Sequence, residues 1–140
     1  MSSMSTIFSK IIAGEIPCDK VYEDDVVMAF LDIQPIQPGH TLVVPKVPSE
    51  NGIACDPDTL GHIMKVAQLI AKAQMETLKC DGMNFFMNNG AAAGQEVFHT
   101  HLHVIPRFTD DDTFEKPLRG EYESGEAESL ATTLANALKK

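Results

Sequence analysis

The sequence predicts an α+β domain built on one mostly antiparallel sheet, and three observations support this class. Five short segments rich in β-branched and aromatic residues are separated by turn residues, as in hairpins. The helical segments do not alternate with the strands, as they would in a parallel α/β sheet. The chain has 140 residues, 44% of them hydrophobic, which suits one domain with a substantial core. We expect a single domain over residues 1–140, with its core at 5–108 and a C-terminal extension at 109–140.

The first half of the chain predicts a short helix followed by three strands. Ser5 is a suitable N-cap, apolar residues then recur at helical spacing, and Gly14 ends the helix. A proline within the third strand, Pro45, predicts an edge position or a bulge. The three strands are expected at residues 21–23, 26–33 and 40–47.

The second half predicts a long helix, two more strands and a final helix. Asp56 followed by Pro57 is a strong helix start, and Asp81-Gly82 ends the element that follows. A loop of small residues joins the last two strands, and an amphipathic stripe marks the C-terminal helix. These elements are expected at 57–79, 83–88, 97–107 and roughly 125–139.

Three of the five histidines alternate at positions 99, 101 and 103. Their β-branched and aromatic neighbours, with Pro106, favour a strand, which would place the three imidazoles on one face. The other face, expected to pack, comprises Phe98, Thr100, Leu102 and Val104. Imidazoles need polar partners when buried, so the histidine face predicts a metal site or nucleophilic catalysis on phosphorus.

Composition and neighbouring residues narrow these alternatives. The loop NNGAAAGQE at residues 88–96 could bring backbone N–H groups close to a phosphate. A net charge of −9 argues against a general nucleic-acid binder. The sequence shows no apolar run of membrane-spanning length and no signal-peptide pattern. Three scattered cysteines suit a reducing compartment, so we expect a cytoplasmic protein that binds neither nucleic acid nor membrane.

The segment HTHLHVI at residues 99–105 resembles the His-φ-His-φ-His-φ-φ motif of the histidine triad (HIT) family, where φ is an apolar residue. Further similar segments follow the family's order and spacing: TIFSKII at 6–12, GEIP at 14–17, FLDIQP at 30–35, PGHTLVVPK at 38–46 and GQEVF at 94–98. The chain looks closest to the nucleoside phosphoramidate hydrolase (Hint-like) branch and its bacterial relatives. The resemblance implies a HIT-like fold of about five strands, with a long central helix and helices at both ends, usually as a homodimer.

The resemblance also implies a role for each matched histidine. His101 is expected to be the nucleophile and to form a covalent nucleotidyl-histidine. The backbone carbonyl of His99 is expected to hold the His101 ring in its attacking tautomer. His103 is expected to bind the phosphate oxygens, and His40 to lie behind the triad and orient it.

The remaining expected contacts surround a nucleotide. Asp32 is expected to hold the ribose hydroxyls, although an aspartate before Gln-Pro could equally begin a turn. The expected apolar slot for the base consists of Ile7, Phe8, Ile11, Phe30, Leu31 and Ile33. The residues expected around the phosphate and the leaving group are Asn88, Gly94, Gln95, Glu96 and Val97.

The chain departs from the family pattern at two places, one that concerns a structural zinc ion and one that concerns the leaving group of the reaction. Members with a structural zinc carry Cys-x-x-Cys and a further histidine where this chain has Thr6, Ser9 and Pro48, so we expect no metal and no cofactor. Glu96 stands where phosphoramidate hydrolases often have serine. It could act as a general acid or remain a solvated charge.

The expected function is cleavage of a purine nucleoside phosphoramidate, or a related P–N or P–O–P bond, through His101. Three alternatives remain open. The first is hydrolysis of dinucleoside polyphosphates by the same nucleophile. The second is a nucleotide-binding or partner-binding protein whose hydrolysis is incidental. The third is a metal-dependent hydrolase that uses the triad as zinc ligands.

Overall fold

The computed structural model describes residues 5–111 and 119–139 and confirms the α+β class. The helices and strands are α1 (Ile7–Ile12), β1 (Lys20–Glu23), β2 (Val27–Leu31), β3 (Thr41–Pro45), α2 (Pro57–Leu78), β4 (Gly82–Phe86), β5 (Leu102–Arg107) and α3 (Glu126–Leu138). The sheet has the order β1-β2-β3-β5-β4, and every neighbouring pair is antiparallel. A short 3₁₀ turn, Ala91–Ala93, lies between β4 and β5.

The two faces of the sheet are covered by different helices. On one face, Val27 and Ala29 of β2 join the core cluster that contains Ile63 and Ile70 of α2. On the other face, Met28 and Phe30 join the cluster of α1. Because successive strand residues point to opposite faces, the uninterrupted apolar run of β2 is buried on both sides.

Helix α1 begins and ends one residue from the predicted bounds. Thr6 is the N-cap instead of Ser5, and Thr6 and Ser9 form a reciprocal capping box. Ala13 is the C-cap, so Gly14, with φ of 83°, follows the helix end. The hydroxyl of Thr6 accepts from the Ser9 N–H, which satisfies a donor that Ser5 does not reach.

The predicted edge position of Pro45 is wrong. Strand β3 lies between β2 and β5 in the middle of the sheet. Pro45 is its last residue, and the pairing with β5 covers only Thr41 to Val43. The missing N–H therefore falls beyond the ladder that β5 shares with β3, where a proline is tolerated.

Several other bounds also differ from the prediction. The histidine strand begins at Leu102 instead of 97, β2 ends at Leu31 instead of 33, and β4 spans 82–86 instead of 83–88. Phe98 is 42% exposed, so its predicted packing is wrong. Helix α2 ends at Leu78, one residue before the predicted bound, because Lys79 adopts a left-handed φ of 55°.

The C-terminal helix has the predicted stripe but no packing in this chain. Every described residue from 119 to 139 is exposed, including Leu130, Leu134 and Leu138. Packing of α3 on the core is therefore wrong for this chain, whereas packing on a partner stays a prediction. Of the predicted extension, residues 112–118 and 140 lie outside the described part. No helix among the described residues combines the length and apolarity needed to cross a membrane.

The burial of Ile63 predicts a large loss of stability on truncation. Ile63 is 1% exposed between α2 and the sheet, so Ile63→Ala should lower the free energy of unfolding by about 2–5 kcal/mol. Urea unfolding measures this change. The matched control is Ile53→Ala, because Ile53 is 83% exposed and its truncation should cost less than about 0.5 kcal/mol. Equal losses in the two variants would contradict the assigned core.

Candidate active site

A cavity of about 410 Å³ opens on the face of the sheet that α1 covers. Its walls are formed by helix α1, the segment after β2, Leu42 of β3, the end of β4, the start of β5 and the loop between those last two strands. The lining is part apolar and part polar, and none of the described residues in it is lysine or arginine. The lining residues are Ile7, Phe8, Asp32, Ile33, Gln34, Ile36, His40, Leu42, Phe86, Asn88, Gly94, Glu96, Val97, His101 and His103.

The backbone of His99 fixes the tautomer of His101. Nδ1 of His101 lies 2.6 Å from the His99 carbonyl oxygen. A carbonyl only accepts, so Nδ1 carries the proton and donates. In the neutral ring, Nε2 then keeps a free lone pair. His101 lines the cavity and is 7% exposed, so this arrangement provides a nucleophilic nitrogen at the site.

A second backbone group fixes the tautomers of His40 and His103. The N–H of Ile36 donates to Nδ1 of His40 at 3.0 Å, so the proton of the neutral His40 ring is on Nε2. That nitrogen donates to Nδ1 of His103 at 2.9 Å. The neutral His103 ring must therefore carry its own proton on Nε2. His103 also stacks on Phe86, with ring centroids 4.4 Å apart.

His99 lies behind the cavity and does not line it. Its Nε2 donates to the carbonyl oxygen of Pro45 at 2.9 Å, and its Nδ1 lies 3.1 Å from the Thr6 hydroxyl. The ring is fully buried and packs against Phe8, which also contacts His101 at 5.0 Å between centroids. The three imidazoles thus lie on one face as predicted, and it is the face that α1 covers, although only His103 belongs to the strand ladder.

Burial keeps all four imidazoles of this group neutral. It lowers the pKa of His40, His99 and His101. Burial, together with the neighbouring His101 and His40 rings, lowers the pKa of His103 to about 3. Asp32 acts in the opposite direction on the pKa of His101, as does the His99 carbonyl. Neutral rings are what a nucleophile and a fixed N–H donor require near pH 7.

Asp32 begins a turn and also lines the cavity. One carboxylate oxygen accepts from the N–H of Gln34 at 2.9 Å, as in an Asx turn. The other lies 3.7 Å from Nε2 of His40. The side chain lines the cavity beside the imidazole network, so the structure brings Asp32 and the histidines together.

Half of the predicted apolar slot lines the cavity. Ile7, Phe8 and Ile33 do so. Ile11 and Phe30 belong to the core beneath Phe8, and the Phe8 and Phe30 ring centroids are 5.6 Å apart. Leu31 lines a groove on the α2 face, because it follows Phe30 on the strand. The assignment of Ile11, Phe30 and Leu31 as slot walls is therefore corrected.

The loop before β5 contributes four of its five predicted residues. Asn88, Gly94, Glu96 and Val97 line the cavity. Gln95 does not, because it is 5% exposed and its amide bonds backbone groups. It donates to the carbonyls of Glu50 at 2.7 Å and Val97 at 3.0 Å, and it accepts from the Gly90 N–H at 2.8 Å. Gln95 was predicted to contact a ligand, but its side chain instead holds the loop in place through these hydrogen bonds.

Four lining residues were missed from the sequence. Leu42 follows His40 by two residues on a predicted strand, and this spacing was the signal that could have found it. Phe86 pairs with His103 across the sheet, a register that only the fold defines. Gln34 and Ile36 lie in the turn after β2, where no periodicity indicates which side chain turns inward.

Three residues in the cavity could together hold a metal ion, but hydrogen bonds already determine which ring nitrogens of the two histidines are protonated. Among the described residues, Asp32, His40 and His103 place one ligand atom each within 4.8 Å of one another. Nε2 of His40 carries a proton in the network, so it cannot ligate without breaking the bond from Ile36. Both ring nitrogens of His99 are also bonded. The hydrogen bonds thus argue against the three triad histidines as zinc ligands.

The basic side chains next to the motif segments are paired away from the cavity. Lys46 lies 2.7 Å from Glu23, and Arg107 bonds Asp111 and Asn84. His62 on α2 lies 2.7 Å from Asp24 and does not line the cavity. A phosphate in this cavity would meet imidazole and amide groups instead of these cations. The N–H groups of Ala93, Gly94 and Gln95 are already bonded within the loop, so the sequence-based expectation of backbone donors does not hold for them.

Comparison with known proteins gives consistent matches. The family model described as "HIT domain" matches residues 13–110. "Protein hit" of Bacillus subtilis is 40% identical over 135 residues, which are 94% of this chain and 93% of that protein. "Adenylylsulfatase HINT3" of Arabidopsis thaliana is 43% identical over 101 residues, 72% of this chain but only 51% of that protein. The crystal structure of a HIT family protein from Bacillus anthracis is 44% identical, with TM-score 0.86, 94% of this chain and 95% of that chain covered.

The lowered pKa of His103 predicts acid sensitivity. Between its ordinary value of 6.5 and about 3, the unfolded chain binds a proton there and the folded chain does not. The free energy of unfolding should therefore fall as pH falls through this window. Urea unfolding at about pH 7.5 and about pH 5, above the range where carboxylates titrate, measures the loss. His103→Gln should lose less than wild type, and an equal loss would contradict the assignment.

Proposed function

The chain belongs to the HIT domain family, and from this premise we propose that it is a nucleotide hydrolase that acts through a covalent nucleotidyl-histidine on His101. The substrate proposed is a purine nucleoside phosphoramidate, or a related compound with a P–N or P–O–P bond. One observation carries the proposal. The 2.6 Å hydrogen bond from Nδ1 of His101 to the His99 carbonyl leaves Nε2 unprotonated at the cavity.

The proposed reaction has two steps. Nε2 of His101 attacks the α-phosphorus, the bond to the leaving group breaks, and an amine or phosphate departs after gaining a proton. The imidazolium that forms keeps its proton on Nδ1, which donates to the His99 carbonyl, and the Asp32 carboxylate stabilises its positive charge. Water then attacks the phosphorus and loses a proton to solvent, the P–N bond breaks with its electron pair returning to Nε2 of His101, and the nucleoside monophosphate leaves.

Neutral donors would bind the phosphoryl oxygens. The relay from Ile36 through His40 fixes the Nε2 proton of His103, which suits donation to an oxygen that gains negative charge. The Asn88 amide borders the same cavity. Donors held in place in this way need no reorganisation during the reaction.

The nucleoside would occupy the apolar end of the cavity. Ile7, Phe8 and Ile33 offer a slot for the base, and Leu42 extends it. Asp32 is at its polar border, where its carboxylate would accept from the ribose hydroxyls. The name of the Arabidopsis relative, an adenylylsulfatase, supports adenylate as the transferred group.

The leaving group would meet Glu96. This exposed carboxyl side chain lines the cavity on the loop that precedes β5. As a general acid it would protonate a departing amine, and as a carboxylate it would attract a cationic one. Either role favours an amine leaving group over a polyphosphate.

The first test compares substrates with His101→Ala. Metal-stripped wild type should release AMP from adenosine 5′-phosphoramidate faster than from diadenosine tetraphosphate, and intact-mass measurement should detect a protein adduct of one adenylate. His101→Ala should lose about 10³-fold or more of the rate and all of the adduct, because the nucleophile is absent. His62→Ala is the matched control, since His62 lies outside the cavity.

Other results would select the alternatives. Faster cleavage of the tetraphosphate indicates a dinucleoside polyphosphate hydrolase. Loss of activity to a chelator, with stoichiometric zinc, indicates metal-dependent hydrolysis. Tight nucleotide binding without turnover above that of His101→Ala indicates a binding protein.

The proposal includes a homodimer of one-domain chains, residues 1–140, in the cytoplasm. Strand β4 is an edge of the sheet, and an apolar pocket beside it is lined by Leu60 and Met64 of α2 and Phe85 of β4. Met64 is 47% exposed and Phe85 38%. A second copy could bury this surface. The three free cysteines are consistent with a reducing compartment.

Two substitutions with matched exposure test the dimer. Met64→Glu places a charge on the proposed interface and should convert the dimer to a monomer in sedimentation experiments. Leu69→Glu is the control, because Leu69 is also 47% exposed on α2 but lines a different groove. A wild-type monomer, or a Met64→Glu dimer, would contradict the proposed interface.

A further inference from the structure

The start of helix α1 is bonded directly to the triad. The Thr6 hydroxyl accepts from the Ser9 N–H at 3.1 Å and lies 3.1 Å from Nδ1 of His99. Nε2 of His99 already donates its proton to the Pro45 carbonyl, so Nδ1 of the neutral ring can only accept. The hydroxyl proton of Thr6 therefore points to His99.

Among the described residues, Thr6 is the donor that reaches Nδ1 of His99. The residue is 0% exposed, so water does not reach the ring, and an unpaired nitrogen would carry a desolvation cost. Without the Thr6 donor, Nδ1 would stay buried and unpaired, or the ring would rotate and weaken its bond to Pro45.

The orientation of His99 matters because its carbonyl holds His101. Residues 97–101 precede β5, so sheet pairing does not hold this segment. It is held instead by hydrogen bonds to other segments of the chain, among them the bond from the Thr100 N–H to the Ser49 carbonyl and the two bonds of the His99 ring. The carbonyl at the end of this arrangement accepts from Nδ1 of His101 at 2.6 Å.

We infer that Thr6 is a positioning residue, whose hydroxyl couples the base-facing wall of the cavity to the histidine that carries the nucleophile. Ile7 and Phe8, which follow Thr6 directly, line the cavity, and Phe8 packs against both His99 and His101. One hydroxyl thus caps the start of α1 and holds the orientation of the His99 ring, whose tautomer the Pro45 carbonyl already fixes. This inference rests on the proposed function for its kinetic effect, but its structural part does not.

The test removes the hydroxyl while keeping the shape of the side chain. Thr6→Val should lower kcat/KM for adenosine 5′-phosphoramidate about tenfold, mainly through kcat, as for other groups that orient a reacting histidine. Thr6→Ser keeps the hydroxyl and should retain most of the activity. In nitrogen-15 spectra, His99 should be protonated on Nε2 in both proteins, because the Pro45 carbonyl remains. The Nδ1 resonance of His99 should shift in Thr6→Val, because that nitrogen loses the hydrogen bond it accepts in wild type.

Two controls separate positioning from helix stability. Ser9→Ala removes both bonds of the Ser9 hydroxyl, from the Thr6 N–H and to the Thr6 carbonyl, but keeps the link to His99. It should weaken the helix start while leaving the His99 spectrum unchanged. Thr77→Val removes a hydroxyl bond on the exposed side of α2 and should change neither readout.

The outcomes distinguish the two proposals. An unchanged His99 spectrum in Thr6→Val, or a loss of activity in Ser9→Ala equal to that in Thr6→Val, overturns the role of Thr6. If wild type cleaves no phosphoramidate, the proposed function fails. The Nδ1 resonance of His99 in Thr6→Val then still decides whether Thr6 positions that ring.

Discussion

The hydrogen bond between Nδ1 of His101 and the backbone carbonyl of His99 is the contact on which the site depends. A neutral imidazole has one proton, and a carbonyl can only accept it, so the bond determines which nitrogen of His101 is basic. The same logic extends from Ile36 through His40 to His103. Backbone groups thereby select one protonation pattern for the whole cluster.

Burial makes this selection effective and also makes it costly. Four imidazoles lie within or beside one face of the sheet, and burial lowers the pKa of each, most clearly that of His103. A buried ring without partners would destabilise the fold, which is why every ring takes at least one bond from a neighbour. The α1 face of the sheet thus combines a hydrophobic core with a hydrogen-bonded network, and the cavity opens where the two meet.

The charge distribution restricts what the cavity can hold. The chain has a net charge of −9, and the described residues that line the cavity include Asp32 and Glu96 but no lysine or arginine. A polyanion would meet repulsion there, whereas one phosphoryl group between neutral donors would meet little. This constraint supports the proposed transfer of a nucleoside monophosphate and the proposed amine leaving group.

The sequence by itself determined the class, the order of the elements and the histidines of the site. Strand alternation and the matched motifs were sufficient, because they depend on local periodicity and residue type. The tertiary structure decided which side chains reach the cavity. The register of the sheet places Phe86 against His103, and strand alternation places Leu31 on the opposite face. The side chain of Gln95 is buried because it hydrogen-bonds the backbone of neighbouring loops. The tertiary structure also joined Thr6 to His99 across 93 positions, a long-range pairing that local patterns do not encode.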